Sequence, residues 1–74
     1  MRQTERILEY MQTFGSITTA QAFTDLGVAR LASRIHDLRD QGYVITREMV
    51  SAKNRYGETV HFARYSLEND SNEA

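Results

Sequence analysis

The stretch "GVARLASRIHDLRDQGYVI", Gly27 to Ile45, decides how the chain folds. Val28, Leu31, Ile35 and Leu38 step by three, four and three residues, the spacing of an apolar stripe along a helix. That spacing predicts a helix from about Val28 to Gln41, closed by Gly42 as the residue just past its end. On a wheel of ~100° per residue the four apolar residues fall within about 80°. The opposite side holds Arg30, Ser33, Asp37 and Asp40, with Ala29 and Arg34 at its edges.

Upstream of this helix the pattern stays helical. Thr4 is a candidate cap for a first helix in which Ile7, Leu8 and Met11 form an apolar stripe, widened by Tyr10 and Phe14 and stopped at Gly15. "SIT", with Ile17 between two polar residues, has the makings of a short strand. Thr18 followed three residues later by Gln21 is a capping box. It predicts a second helix from about Thr19 to Asp25, with Ala22, Phe23 and Leu26 turned inward and Gly27 ending it.

Downstream of Gly42 the period changes to two. "YVITREMVSA" and "ETVHFARYSL" are rich in β-branched and aromatic residues, and "KNRYG" between them carries the Asn and Gly of a turn. A β-hairpin follows. Two sets of residues compete for its inner face, Val44, Val50, Val60 and Phe62 against Ile45, Met49, Tyr65 and Leu67; Ile45, Tyr65 and Leu67 are taken as core. Residues 68–74, "ENDSNEA", are small, polar and acidic and are expected to be a disordered tail to a domain spanning residues 1–67.

Seventy-four residues allow one domain and a thin core, since a chain this short buries only about 60% of the surface it exposes when unfolded. The composition includes no cysteine, so disulfides and thiolate metal sites are excluded, in keeping with a reducing compartment. The apolar runs fall far short of the ~20 residues of a membrane span, and "MRQTERILEY" lacks the apolar core of a signal peptide; a cytoplasmic, membrane-free protein is the expectation. The net charge of −1 conceals an asymmetry. Glu68, Asp70 and Glu73 account for three of ten acidic residues, which leaves nine basic against seven acidic over residues 1–67, a balance of +2.

Three helices, a glycine-containing turn between the second and third, and a hairpin directly afterwards make an α+β chain. "AFTDLGVARLASRIHDLRDQGYVI" resembles the winged helix-turn-helix family in its "LG" turn, its apolar steps and its "LRDQGYVI" exit. The chain is similar to small winged-helix proteins of phages and prophages, in which a "RYG" turn and a closing "RYSL" strand also recur, here Arg55 to Gly57 and Arg64 to Leu67. The resemblance covers about Thr4 to Leu67. It implies a three-helix winged helix-turn-helix with a C-terminal two-stranded β-hairpin wing. Between the turn glycine and the "LRxxG" exit this chain is roughly two residues shorter than the commoner bacterial repressor pattern. The turn or the start of the third helix must therefore differ.

The resemblance implies a sequence-specific protein for double-stranded DNA, a phage-type transcriptional regulator or an excision or replication accessory factor. The third helix would enter the major groove and the wing would lie on the backbone. Arg30, placed in the first turn of that helix, breaks the macrodipole rule, and a groove-facing role accounts for this because Arg pairs with guanine in bidentate fashion. Its bland alternative is an ion pair with Asp25. Ala29, Arg30, Ser33 and Arg34 are the candidate helix contacts, and Asp37 is read as the ion-pair partner of Arg34 or Arg30. Lys53, Asn54, Arg55 and Tyr56 are the candidate wing contacts, the cations for phosphate and the tyrosine for stacking. A homodimer is expected, because one module of this size buries little surface on DNA.

His36 and His61 read as isolated, with no second histidine or carboxylate at a ligand spacing, so neither a metal nor another cofactor is expected. No nucleophile sits in a recognisable elbow, and no enzymatic activity is expected. The competing function is a protein-interaction winged helix, an inhibitor or adaptor of a host protein, whose acidic tail and outward Val50, Val60 and Phe62 form the contact.

Overall fold

The computed structural model describes residues 2–68. The elements run α1 (Gln3–Phe14), β1 (Ser16–Thr18), α2 (Thr19–Leu26), α3 (Leu31–Asp40), β2 (Ile45–Lys53) and β3 (Thr59–Leu67). Three helices and an antiparallel sheet fit the α+β winged-helix class. The sheet has three strands, in the order β1-β3-β2, because "SIT" pairs with the end of the hairpin: Ser16 opposes Ser66, Ile17 opposes Tyr65 and Thr18 opposes Arg64.

Ile7, Met11, Ile17, Ala22, Val28, Leu31, Ile35, Leu38, Ile45 and Tyr65 form the buried core, with Leu8, Tyr10, Leu26, Ala63 and Leu67 packed at its margin. Every helix and the near end of the sheet contribute to it. The inner face of the hairpin is the one expected from Ile45, Tyr65 and Leu67. Strand alternation follows directly: residues paired on the other face are Thr46 with Ser66, Glu48 with Arg64, Val50 with Phe62 and Ala52 with Val60.

The local chemistry is visible at the helix ends. Thr18 Oγ1 accepts from Gln21 N at 3.2 Å while Gln21 Oε1 accepts from Thr18 N at 2.9 Å, the reciprocal capping box that starts α2. At the end of α3, Gly42 adopts φ +103°. Its N–H donates to Arg39 O at 3.0 Å, and Tyr43 N donates to Leu38 O at 3.2 Å, a Schellman motif that needs a left-handed residue at this position. It turns the chain abruptly from helix into β2.

Three expectations require correction. Thr4 lies inside α1; the cap position is Arg2, whose backbone N–H donates to Glu5 Oε1 at 2.8 Å. Phe23, expected inward, is 62% exposed, because α2 is two turns long and buries only Ala22 fully. α3 begins at Leu31 rather than Val28. Val28 is buried at the right spacing, yet its N–H donates back to Ala22 O at 2.9 Å, which holds it in the turn after α2. Just past β3, the backbone N–H of Glu68 donates to Val44 O at 2.8 Å. The rest of the expected tail, residues 69–74, lies outside the described residues.

Candidate nucleic-acid interface

Ala29 and Arg30 sit in the link between α2 and α3, both exposed. Arg30 is the residue that caps α3, with φ −121° and ψ 61°; its carbonyl accepts from Arg34 N at 3.2 Å, and its side chain makes no cap bond. The correction to its position matters electrostatically. No side chain caps the first amides of α3, and the residue at the cap position is itself a cation-bearing arginine. Arg30 does not pair with Asp25, whose carboxylate instead accepts from Tyr10 Oη at 2.6 Å and from Thr24 Oγ1 at 3.2 Å. That bond links α1 to α2, and because the neutral phenol donates it, the carboxylate holds the Tyr10 hydroxyl pKa above its ordinary value.

Arg34 is differently placed. Its Nη2 lies 3.3 Å from Asp37 Oδ2, as expected for that pair, and its Nε is shielded from solvent without a hydrogen-bond partner. Arg34 and Asp37 are half-buried along a groove that Asp40 and Gln41 also line and that Arg2, Gln3 and Thr4, at the start of α1, complete. The N-terminus of α1 therefore covers one flank of the polar side of α3. The sector of α3 that stays open is displaced toward Ala32, His36 and Arg39, with Ser33 and Asp40 at its border.

Two residues of this sector escaped the sequence reading. Arg39 reaches Ile45 O through Nε at 3.3 Å and Nη2 at 2.8 Å, anchoring β2 to α3; its only signal was a cation in the last helical turn. His36 Nε2 lies 3.4 Å from Asp40 Oδ2, which corrects the reading of His36 as isolated: a carboxylate does occupy the i+4 position. No group of three potential metal ligands occurs among the described residues.

At the other end of the molecule, the loop Arg55-Tyr56-Gly57 joins β2 to β3. Asn54 organises it. Its Oδ1 accepts from Tyr56 N at 2.9 Å and Glu58 N at 3.0 Å, and its Nδ2 donates to Glu58 Oε1 at 3.0 Å. Asn54 N donates to Glu58 O and Gly57 N to Asn54 O, each at 3.0 Å, while Gly57 takes φ +78°, the left-handed residue of a three-residue hairpin loop. The Asn54 side chain is thus engaged within the turn, and what the turn displays is Arg55 and Tyr56, the latter 81% exposed. Lys53 Nζ is 3.5 Å from Gly57 O. Arg30 and Arg55 enter no ion pair among the described residues.

An uncapped helix start with a free arginine, followed by a projecting hairpin with cations at its tip, defines a winged-helix module. The chain belongs to the family described as "Winged helix-turn-helix domain", whose model matches residues 2–70. Such domains are typically non-enzymatic and bind DNA. No match is found among curated proteins or among solved structures. No helix of the described residues is long and apolar enough to cross a membrane.

Proposed function

We propose that the protein is a sequence-specific binder of double-stranded DNA that inserts the start of α3 into the major groove and sets its wing on the adjacent backbone. The observation that carries the reading is the start of α3. Ala29, Ala32 and Ser33 have short side chains, which let the helix approach base edges closely, and the neighbouring Arg30 is exposed and forms no ion pair among the described residues. An arginine there is free for guanine or phosphate, and the unpaired amides favour anions. Lys53, Arg55 and Tyr56 supply the wing contacts, with Asn54 fixing the turn that presents them. Arg34 serves chiefly to hold Asp37, contacting phosphate from the flank.

In this role the protein acts in the cytoplasm as a small regulator or accessory factor of phage type. It works as a homodimer, since a second copy doubles an interface too small for tight specific binding alone. Selection of bound sequences from a random duplex pool tests this reading: a palindromic motif with half-sites one helical turn apart is expected. An enrichment-free pool, with no salt-sensitive retention of duplex, overturns it.

One observation favours the alternative of a protein-binding module. Val50, Ala52, Val60 and Phe62 lie together on the outer face of the hairpin, with Ala52 and Val60 exposed. A host protein docked on that strip would be indifferent to Arg30.

A further inference from the structure

The open sector of α3 continues from Ala32 into a pair that helix stability does not explain. His36 and Asp40 side chains are 74% and 71% exposed, with Nε2 and Oδ2 3.4 Å apart. A pair this exposed contributes little to stability. Its order is also unfavourable: the potential cation precedes the anion, the weaker arrangement at i, i+4, and Asp40 places a negative charge in the last turn, against the helix dipole. On a surface meant for phosphate a lone carboxylate is a further liability. Each local rule points away from these two residues together, and a role in binding accounts for both.

We infer that His36 is a contact residue of the DNA-binding face of α3 and that, with Asp40, it makes binding depend on pH. The inference rests on the DNA reading above and adds a residue and a mode of control to it. Imidazole is the side chain whose charge ordinarily changes between about pH 5 and 8. With His36 neutral, the pair as a unit carries the negative charge of Asp40. With His36 protonated, the pair is neutral as a unit and the imidazolium donates to phosphate or to a base acceptor.

The other charges around α3 leave this control to the pair. Asp37 is held by Arg34, and Arg39 is committed to Ile45 O. From the elements packed against α3, Arg2, which caps α1, lines one groove with Arg34, Asp37 and Asp40, and Asp25 of α2 is bound by Tyr10 and Thr24. Phosphate favours the protonated imidazole, so the bound state holds the proton more tightly than the free state. Binding is therefore strongest below the imidazole range and weakens as pH rises through it.

The test measures affinity for a random-sequence duplex at constant ionic strength from about pH 8 to about pH 5.5. It uses the wild type, His36→Gln and His61→Gln, with circular dichroism confirming the fold at each pH. The wild type and His61→Gln are expected to bind about tenfold more tightly at the acid end, the ratio that a one-unit displacement of an imidazole pKa produces. His36→Gln is expected to be flat. Salt-sensitive binding that ignores pH in the wild type, or a pH response that survives in His36→Gln or vanishes in His61→Gln, overturns the inference and leaves the DNA reading standing. Absence of duplex binding at every pH overturns both.

Discussion

The two ends of the hairpin are built from the same pair of strands and are held by different forces. At the near end, Ile45, Tyr65 and Leu67 face a helical layer, and Ile17 pairs beside Tyr65. At the far end, from Met49 and Ala63 outward, β2 and β3 pair only with each other. The near end draws on apolar burial, which is worth about 1.5–3 kcal/mol for each large side chain. The far end depends on backbone pairing, cross-strand contacts worth roughly 0.2–1 kcal/mol each, and the chemistry of one asparagine and one glycine. The lesson is a division of labour: the body sets stability, while the wing holds a display whose loss costs the body little.

The sharpest way to break this division is to cut the core. Ile35→Ala, in the middle of α3, should lower stability by about 2–5 kcal/mol, because the cavity it leaves cannot close in so thin a core. For a chain with an expected stability of roughly 4–11 kcal/mol this brings the domain near unfolding, wing included. Denaturant titration reads the loss. A neutral result would place α3 in a different register.

The same contrast extends to DNA. Arg30→Ala should cost about 1–3 kcal/mol on the selected site and relax preference at one or two positions. The double variant Lys53→Ala, Arg55→Ala should instead weaken every duplex alike and make the slope of log K against log salt shallower by roughly 1.8, about 0.9 for each phosphate contact. Binding isotherms at several salt concentrations separate the two patterns. Loss of preference in the wing variant, with Arg30→Ala unaffected, would exchange the roles of helix and wing.

Asn54→Ala sharpens the account of the wing itself. The substitution removes the acceptor of two backbone N–H groups and should destabilise the hairpin tip by about 1 kcal/mol. Hydrogen exchange should accelerate at Tyr56 and Glu58 and leave the amides of α3 protected. If exchange in α3 rises equally, the wing and body unfold as one unit, and the division fails.

Where the sequence was legible, the determinants were local. The capping box at Thr18 and Gln21, the three-four-three spacing through Leu38, the Gly42 stop and the turn at Asn54 to Gly57 each specify geometry within a few residues. Where it was not, tertiary context decided. The wheel of α3 separates Arg30, Ser33, Asp37 and Asp40 from the core but carries no information about α1, whose N-terminus covers the Arg34 and Asp37 flank and leaves His36 open. Val28 satisfies the helical spacing from a turn, and only its bond to Ala22 O distinguishes the two.

Phe23 offers the smallest effect and a direct test of which determinant wins. Read by pattern, it belongs inside with Ala22 and Leu26, and a buried phenylalanine cut to alanine costs about 3–5 kcal/mol. In the structure its side chain is 62% exposed on a helix only eight residues long, Thr19 to Leu26, so little apolar area is lost on truncation. Alanine also has the better intrinsic helix propensity, by up to about 0.7 kcal/mol, which offsets what contact remains. Phe23→Ala should therefore melt within about 0.5 kcal/mol of the wild type, the range of an ordinary surface substitution. A loss of several kcal/mol would mean that α2 is rotated to bury Phe23. The link through Gly27 that sets the start of α3, and with it the exposure of Arg30, would then have to be redrawn.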